Sequence, residues 1–284
     1  MAEILKGAPV AAALNESMAA RTEELKARGV HPTLAILRVG ERPDDISYEK
    51  GATKRSETVG VAVRHVALPG DVDQATLMAA IEDLNCDKGV HGILLFRPLP
   101  KHLDGEAARR ALNPAKDIDG ITDGSLAGVF TGSGEGYAPC TAQAAMEILD
   151  YYGIECKGKR AVVIGRSLVV GKPAAMMLMA RHATVTICHT RTVDLSGTAR
   201  QAEILIVAAG QMESIGKECL SPGQVVIDVG INWNEAKGKL CGDVRLEEAE
   251  EIVAAITPVP GGVGTVTTSV LVSHVIKAAE LSSK

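Results

Sequence analysis

The stretch RAVVIGRSLVVGKPAAMMLM, Arg160–Met179, decides the fold. Four apolar residues, Ala161–Ile164, run without interruption and read as a strand buried on both faces. The strand is expected over Arg160–Gly165, and a helix-period segment follows at Val169–Arg181. A strand that turns through glycine into a helix aims backbone N–H groups at an anion. Gly165 and Gly171 let the backbone come close to a ligand or to the strand. Arg166 and Ser167 add a cation and a hydroxyl at the same mouth. This is not a P-loop: five residues separate Gly165 from Gly171 where the Walker pattern has four, and Pro173 stands where Ser or Thr would hold magnesium. Nor is it G-x-G-x-x-G. The residues read as a dinucleotide-binding turn, with an ordinary strand–turn–helix bearing a basic tip as the other reading.

The next strand, expected over Thr184–His189, decides the cofactor. It runs into CHTRT, Cys188–Thr192. NAD-binding folds place an acid ~20 residues on to hold the ribose 2′-hydroxyl. Here that place has two threonine hydroxyls, a histidine and Arg191, and no carboxylate. A 2′-phosphate needs cations and donors, so the segment favours NADP. Arg166 can reach the same phosphate from the first turn. The bland reading of Arg191 is a solvated loop charge.

Outward from this core the alternation continues. Strands are expected at Thr33–Val39, Val61–Leu68, Val90–Phe96, Ile204–Ala209 and Gln224–Val229. Helices are expected at Val10–Arg28, Ser47–Thr58, Asp73–Leu84, Thr141–Tyr151, Leu246–Ala254 and Val266–Leu281. The pattern is that of βαβ units with a parallel sheet, an α/β fold. TGSGEGYAPC, Thr131–Cys140, has neither period and reads as a loop or domain crossing. Two α/β halves are expected, 1–140 and 141–265. The last helix, about 266–284, is expected to pack back on the first half, because chain termini often lie close together.

Composition narrows the function. At ~100–200 residues per domain, 284 residues suggest about two domains. Aromatics make up 2%, so the core is aliphatic, and the composition argues against a base-stacking platform, which needs clustered aromatics. A net charge of −5 argues against a nucleic-acid backbone binder. No apolar run approaches the ~18 residues of a membrane span, and MAEILKGAPVAA does not read as a signal peptide. Cys86, Cys140, Cys156, Cys188, Cys219 and Cys241 contain no C-x-x-C pair. They read as buried free thiols in a reducing cytoplasm. The spacing of His182 and His189 offers no metal site.

Several ordered motifs then carry a resemblance: the Tyr48 helix, GILLFRPLP (Gly92–Pro100), KDIDG (Lys116–Gly120), APCTA (Ala138–Ala142), GRSLVVGKP (Gly165–Pro173), CHTRT, and TPVPGGVGTVT (Thr257–Thr267). Together they resemble the methylenetetrahydrofolate dehydrogenase/cyclohydrolase family of the FolD type. The resemblance implies a folate-binding catalytic domain at 1–140, a Rossmann-like NADP-binding domain at 141–265, a homodimer, and folate held in a cleft between domains. It implies oxidation of 5,10-methylenetetrahydrofolate to the 5,10-methenyl cation, often followed by hydrolysis to 10-formyltetrahydrofolate. By resemblance Gly165, Arg166 and Ser167 contact the dinucleotide phosphates and ribose, and Thr190 keeps a hydroxyl where serine is usual. Ile231 offers backbone to the nicotinamide side. Tyr48 and Asp119 are the catalytic candidates, Tyr48 stacking on the pterin-side rings and Asp119 hydrogen-bonding the pterin. Pro260, Gly261 and Gly262 close the folate site.

Two departures stand out. The family's usual lysine, four residues past the tyrosine, is Ala52, and its usual glutamine is Phe96. Lys50 and Lys54 lie ~200° and ~240° around the helix from Tyr48, and Arg55 stays protonated. Thr265 replaces a customary proline. Hydride transfer depends mostly on proximity and orientation. Hydrolysis needs a positioned water and proton removal. The expectation is an NADP-linked dehydrogenase with weak or absent cyclohydrolase activity. A bifunctional enzyme, with Lys50 or Lys54 turned inward by an irregularity at Gly51, and a non-catalytic folate or dinucleotide sensor are the alternatives.

Overall fold

The computed structural model describes residues 1–283. The elements of the first half are β1 (Glu3–Ile4), α1 (Gly7–Ala27), β2 (Thr33–Val39), α2 (Pro43–Thr58), β3 (Ala62–Leu68), α3 (Gln74–Cys86), β4 (Gly92–Leu95), α4 (Gly105–Ala111) and α5 (Asp123–Thr131). There follow α6 (Cys140–Tyr151), β5 (Arg160–Ile164), α7 (Gly171–Ala180), β6 (Thr184–Cys188), α8 (Leu195–Arg200), β7 (Ile204–Val207) and β8 (Val225–Asp228). The chain ends with β9 (Asn232–Asn234), β10 (Lys239–Cys241), α9 (Leu246–Ala249), β11 (Ala255–Ile256) and α10 (Val263–Ser282).

One compact unit comprises Ala13–Cys140 and the chain from Thr268 onward. Its sheet runs β3-β2-β4, all parallel. β4 is buried along its whole length and β2 nearly so, whereas the edge strand β3 is largely open. Leu37, Leu77, Ile81, Ile93 and Leu95 form the centre of its aliphatic core. α10 lies against this unit. Glu280 receives two hydrogen bonds from Arg21, at 2.8 and 2.9 Å, and a side chain at Gly92 would run into Ile118 and Val275.

The other unit comprises Met1–Ala12 and Thr141–Thr267. Its six-stranded sheet has the order β1-β11-β8-β7-β5-β6, parallel throughout. Val162, Ile164, Leu205, Val207, Val226 and Ile256 fill one face. β5 has its successor β6 on one side and β7 on the other. The strand order therefore reverses beside β5, the place where such sheets hold ligands.

The structure corrects several expectations. Residues 1–12 belong with the second unit, because Glu3 and Ile4 pair with Ala255 and Ile256. α2 starts at Pro43, with Asp44 and Asp45 in its first turn, four residues before the expected start. α7 starts at Gly171, and α9 stops after four residues, because the backbone at Ala255 is drawn into pairing with Val225. α4 and α5 were not expected, although Asp104 and Thr122 cap them through their side chains. α8 and the β9–β10 hairpin were not expected either. Cys86 is exposed; the other five cysteines are buried, and all six are free.

Candidate functional site

At the reversal point, Gly165 follows β5 with φ of +127°, a region closed to other residues. A Cβ there would strike the Ala208 carbonyl just past β7, so the turn lies directly on the neighbouring strand end. The Ser167 Oγ accepts from the Val170 N–H at 3.1 Å and lies 3.5 Å from the Gly171 N. Its own O–H remains to donate outward. Arg166, Ser167, Leu168 and Val169 are exposed on this turn.

The register Ile164↔Cys188 sets the turn after β6 beside the first one. The second turn is tight: His189 N–H donates to Thr192 Oγ1 at 2.8 Å, and Arg191 N–H donates to His189 Nδ1 at 3.1 Å. That last bond makes Nδ1 an acceptor and puts the imidazole proton on Nε2. The Thr190 and Arg191 side chains are left exposed. Neither the Arg166 nor the Arg191 guanidinium enters an ion pair among the described residues. The nearest following acid, Asp194, caps α8 by accepting from Gly197 N–H at 2.9 Å. Two neighbouring turns thus offer two unpaired cations and two hydroxyls with no competing carboxylate, which fits a phosphorylated dinucleotide.

Beyond β8, Ile231 is 61% exposed and lines a cavity of about 190 Å³. Pro258, Pro260, Gly261, Gly262 and Thr265 line the same cavity. The structure therefore brings Ile231 and the Pro260–Gly262 loop together. The loop is held by Gly7, whose N–H donates to the Gly261 carbonyl at 2.8 Å.

In the first unit, Tyr48 projects from α2, 36% exposed, and meets Phe96 edge-on at a centroid distance of 5.8 Å. Ala52, one turn further along α2, is completely buried. α2 passes through Gly51 without interruption, and Lys50 and Lys54 both face solvent. Burial, with smaller contributions from Cys140 and Asp119, raises the Tyr48 hydroxyl far above its usual range, so it stays a phenol. Asp119 follows a turn built by Asp117, whose carboxylate accepts from Ile121 and Thr122 N–H at 3.0 and 2.7 Å. The surrounding protein pushes the Asp119 carboxyl up to about 6, against the opposing pull of Arg97. Cys140, also hydrogen-bonded to Asp119, is raised well above the usual thiol value by burial. His274 Nδ1 lies 2.8 Å from the Ile118 carbonyl, and burial lowers its pKa to about 4.

Arg97 and Cys140 were not singled out from sequence as neighbours of Asp119. Asp228, which lines the Ile231 cavity, and Asp243, both buried, were also missed. Asp228 had a legible signal, an acid closing an apolar strand at the ligand-binding end of a parallel sheet. Among the described residues, no group of three or more His, Cys, Asp or Glu side chains is arranged to hold a metal. Among the described residues no helix is long and apolar enough to cross a membrane.

A parallel sheet with a glycine turn and free cations at its reversal point defines a dinucleotide-binding α/β protein. Comparison with known proteins makes this particular. The NAD(P)-binding domain of tetrahydrofolate dehydrogenase/cyclohydrolase matches residues 139–283, and the catalytic domain of the same family matches residues 5–119. The bifunctional protein FolD of Carboxydothermus hydrogenoformans is 50% identical over 282 residues, 99% of this chain and 98% of that protein. The crystal structure of the Campylobacter jejuni bifunctional FolD superposes with a TM-score of 0.95 at 37% identity, covering 99% of both chains. The Trypanosoma brucei FolD, solved with NADP cofactor and an inhibitor, gives 0.92 at 34% identity, over 100% of this chain and 99% of that one. The chain belongs to the tetrahydrofolate dehydrogenase/cyclohydrolase family.

Proposed function

We propose that the protein oxidises 5,10-methylenetetrahydrofolate to the 5,10-methenyl cation with NADP as hydride acceptor, and that its cyclohydrolase activity is weak or absent. The observation that carries the second half is the face of α2 beside Phe96. Where the family signature has lysine and glutamine, this chain has a buried alanine and a phenylalanine packed on Tyr48.

The two reactions differ in what they ask of the protein. In the oxidation, a hydride leaves the methylene carbon and the folate nitrogens stabilise the resulting cation, so no side chain need take up a proton. NADP, when bound, supplies the carbon that accepts the hydride. Gly165, Arg166 and Ser167 are assigned to its phosphates and ribose, Thr190 and Arg191 to the 2′-phosphate, and Ile231 to the nicotinamide side. Tyr48 is assigned to stacking on the folate rings, Asp119 to accepting hydrogen bonds from the pterin, and Pro260, Gly261 and Gly262 to enclosing the folate. In the hydrolysis, water adds to the cationic carbon, loses a proton, and a C–N bond then opens. Positioned acid–base help for such a step is worth ~10²–10⁴-fold. Ala52 and Phe96 carry no titrating group, and Asp119, the near-neutral carboxyl that acts on Tyr48, is assigned to the pterin.

The test follows reduced nicotinamide and methenyl absorbance together, with both NADP and NAD as acceptors. Formation of both signals, with methenyl then decaying only at its buffer rate, is expected. Rapid enzyme-dependent decay supports the second reading, a bifunctional enzyme, which the names of its relatives favour. By the same family resemblance the protein is assigned as a homodimer in the cytoplasm; light scattering should return twice the chain mass.

A further inference from the structure

Asp228 and Asp243 lie at the ligand-binding end of the six-stranded sheet, and neither is reached by the assignments above. Both are buried, at 3% and 0% exposure. Each carboxylate is satisfied by donors from elsewhere in the chain. Asp228 Oδ1 accepts from Gly230 N–H at 3.0 Å and Asp243 N–H at 3.1 Å, and its Oδ2 from Val244 N–H at 2.9 Å. Asp243 Oδ2 accepts from Gly210 N–H at 2.8 Å, and its Oδ1 from Gln211 N–H at 2.9 Å and the Asn232 side-chain amide at 3.0 Å. The pair is reciprocal. A Cβ at Gly230 would collide with the Asp243 carboxylate, and a Cβ at Gly242 with that of Asp228. Each acid thus sits where the facing backbone carries no side chain.

The partners share a location. Gly210 and Gln211 follow β7, Gly230 and Asn232 follow β8, and Val244 follows β10. The Thr257 hydroxyl adds a fourth segment: it accepts from Asp228 N–H at 2.8 Å, and Thr257 leads into the Pro258–Gly262 loop. Ala208, against which Gly165 rests, is two residues before Gly210. A continuous set of contacts therefore runs from the dinucleotide turn, through Ala208 and Gly210, to Asp243, and from there to the segment carrying Ile231.

We infer that Asp243, with Asp228 beneath it, is a positioning residue that fixes the spacing between the phosphate-side turn at Gly165 and the nicotinamide-side segment at Ile231. The inference rests on the dinucleotide reading given above. A carboxylate suits this place because it accepts from three N–H groups at once. An asparagine of the same shape turns its NH₂ toward one of those donors and leaves that donor unsatisfied, a cost that falls on the strand ends rather than on the distant adenosine side.

The experiment measures dissociation constants for NADP and for adenosine 2′,5′-bisphosphate, which lacks the nicotinamide half, in the wild type and in Asp243→Asn. Weakening of NADP binding by tenfold or more is expected, with the bisphosphate held within twofold. Equal weakening of both, or of neither, overturns the inference. If Asp243→Asn does not fold, Asn232→Ala removes only the side-chain donor to Asp243. A loss of about threefold confined to NADP is expected there, and equal affinity to the wild type for both probes overturns the inference. A wild type that binds neither probe overturns the dinucleotide reading itself; a wild type that binds both, beside a variant that binds both equally well, overturns only the positioning role.

Discussion

The turn at Gly165 and the face of α2 at Tyr48 have met opposite fates in one chain. The turn keeps what an anion site needs: a backbone that only glycine can follow, a helix start, and the Arg166 guanidinium, which enters no ion pair among the described residues. The helix face carries the Tyr48 ring beside Phe96 and a buried Ala52, where the proposal places no proton-handling group. Binding here rests on backbone shape and fixed charge, whereas hydrolysis rests on particular titrating side chains. On the proposed reading, a chain can hold the first and give up the second without any change of fold.

The largest effect should come from restoring what the helix face lacks. Ala52→Lys combined with Phe96→Gln is expected to raise methenyl hydrolysis by ~10²–10⁴-fold, the usual worth of a placed acid–base pair. NADPH formation should change far less. Ala52 is fully buried, so the lysine carries a desolvation cost and its pKa should fall, toward the neutral range where it can act as a base. Measuring methenyl decay for the double variant, with circular dichroism to establish folding, checks this. A folded variant no faster than the wild type would show that the missing residues are not what separates the two regions.

A smaller effect is expected on the side that is intact. Arg191→Ala removes one charge-assisted contact to a 2′-phosphate, worth ~1.5–3 kcal/mol, or roughly 10- to 100-fold in KM for NADP. KM for NAD should not move, because NAD has no phosphate there. Equal loss for both cofactors would return Arg191 to the status of a loop charge and remove half the contrast.

Sequence reading served these two regions unequally, for physical reasons. β2 is buried on both faces, and its run Thr33–Val39 is read at the same bounds as the strand. The shift of α7 from Val169 to Gly171 arises because Leu168–Val170 continue the apolar pattern while forming an exposed turn. β1 is two residues long and owes its existence to pairing with β11, more than 250 residues away, which no local pattern reports. The substitutions at Ala52 and Phe96 were visible at once, since a missing lysine needs no structure. What they leave behind, an edge-on ring pair over a sealed alanine, was not. The Asp228–Asp243 latch joins residues 15 positions apart through loop geometry, which no local pattern reports.

The last prediction concerns stability rather than activity and again separates the units. Asp228 is pushed up to about 7 by burial, outweighing its three N–H donors, while an unfolded aspartate sits near 3.8. The folded protein therefore binds more protons than the unfolded chain between those values. Stability from this group is fully present below about pH 4 and is lost as pH rises toward 7, at no more than about 1.4 kcal/mol per pH unit. Asp119, raised to about 6, acts in the same direction in the first unit. His274 opposes it: lowered to about 4 by burial, it adds stability as pH rises from there toward 6.5. In the first unit the two trends largely offset each other between pH 4 and 6, so the steeper dependence is expected in the second. Urea unfolding of the wild type and Asp228→Asn from pH 4 to 8, followed by Trp233 fluorescence, isolates it, because Trp233 is the chain's one tryptophan and lies on the second unit's hairpin. The variant, neutral at every pH like the protonated acid, is expected to match the wild type near pH 4 and to become the more stable of the two as pH approaches 7. A gap that stays constant across that range would mean that Asp228 is ionised throughout and that its three N–H donors, rather than burial, govern it.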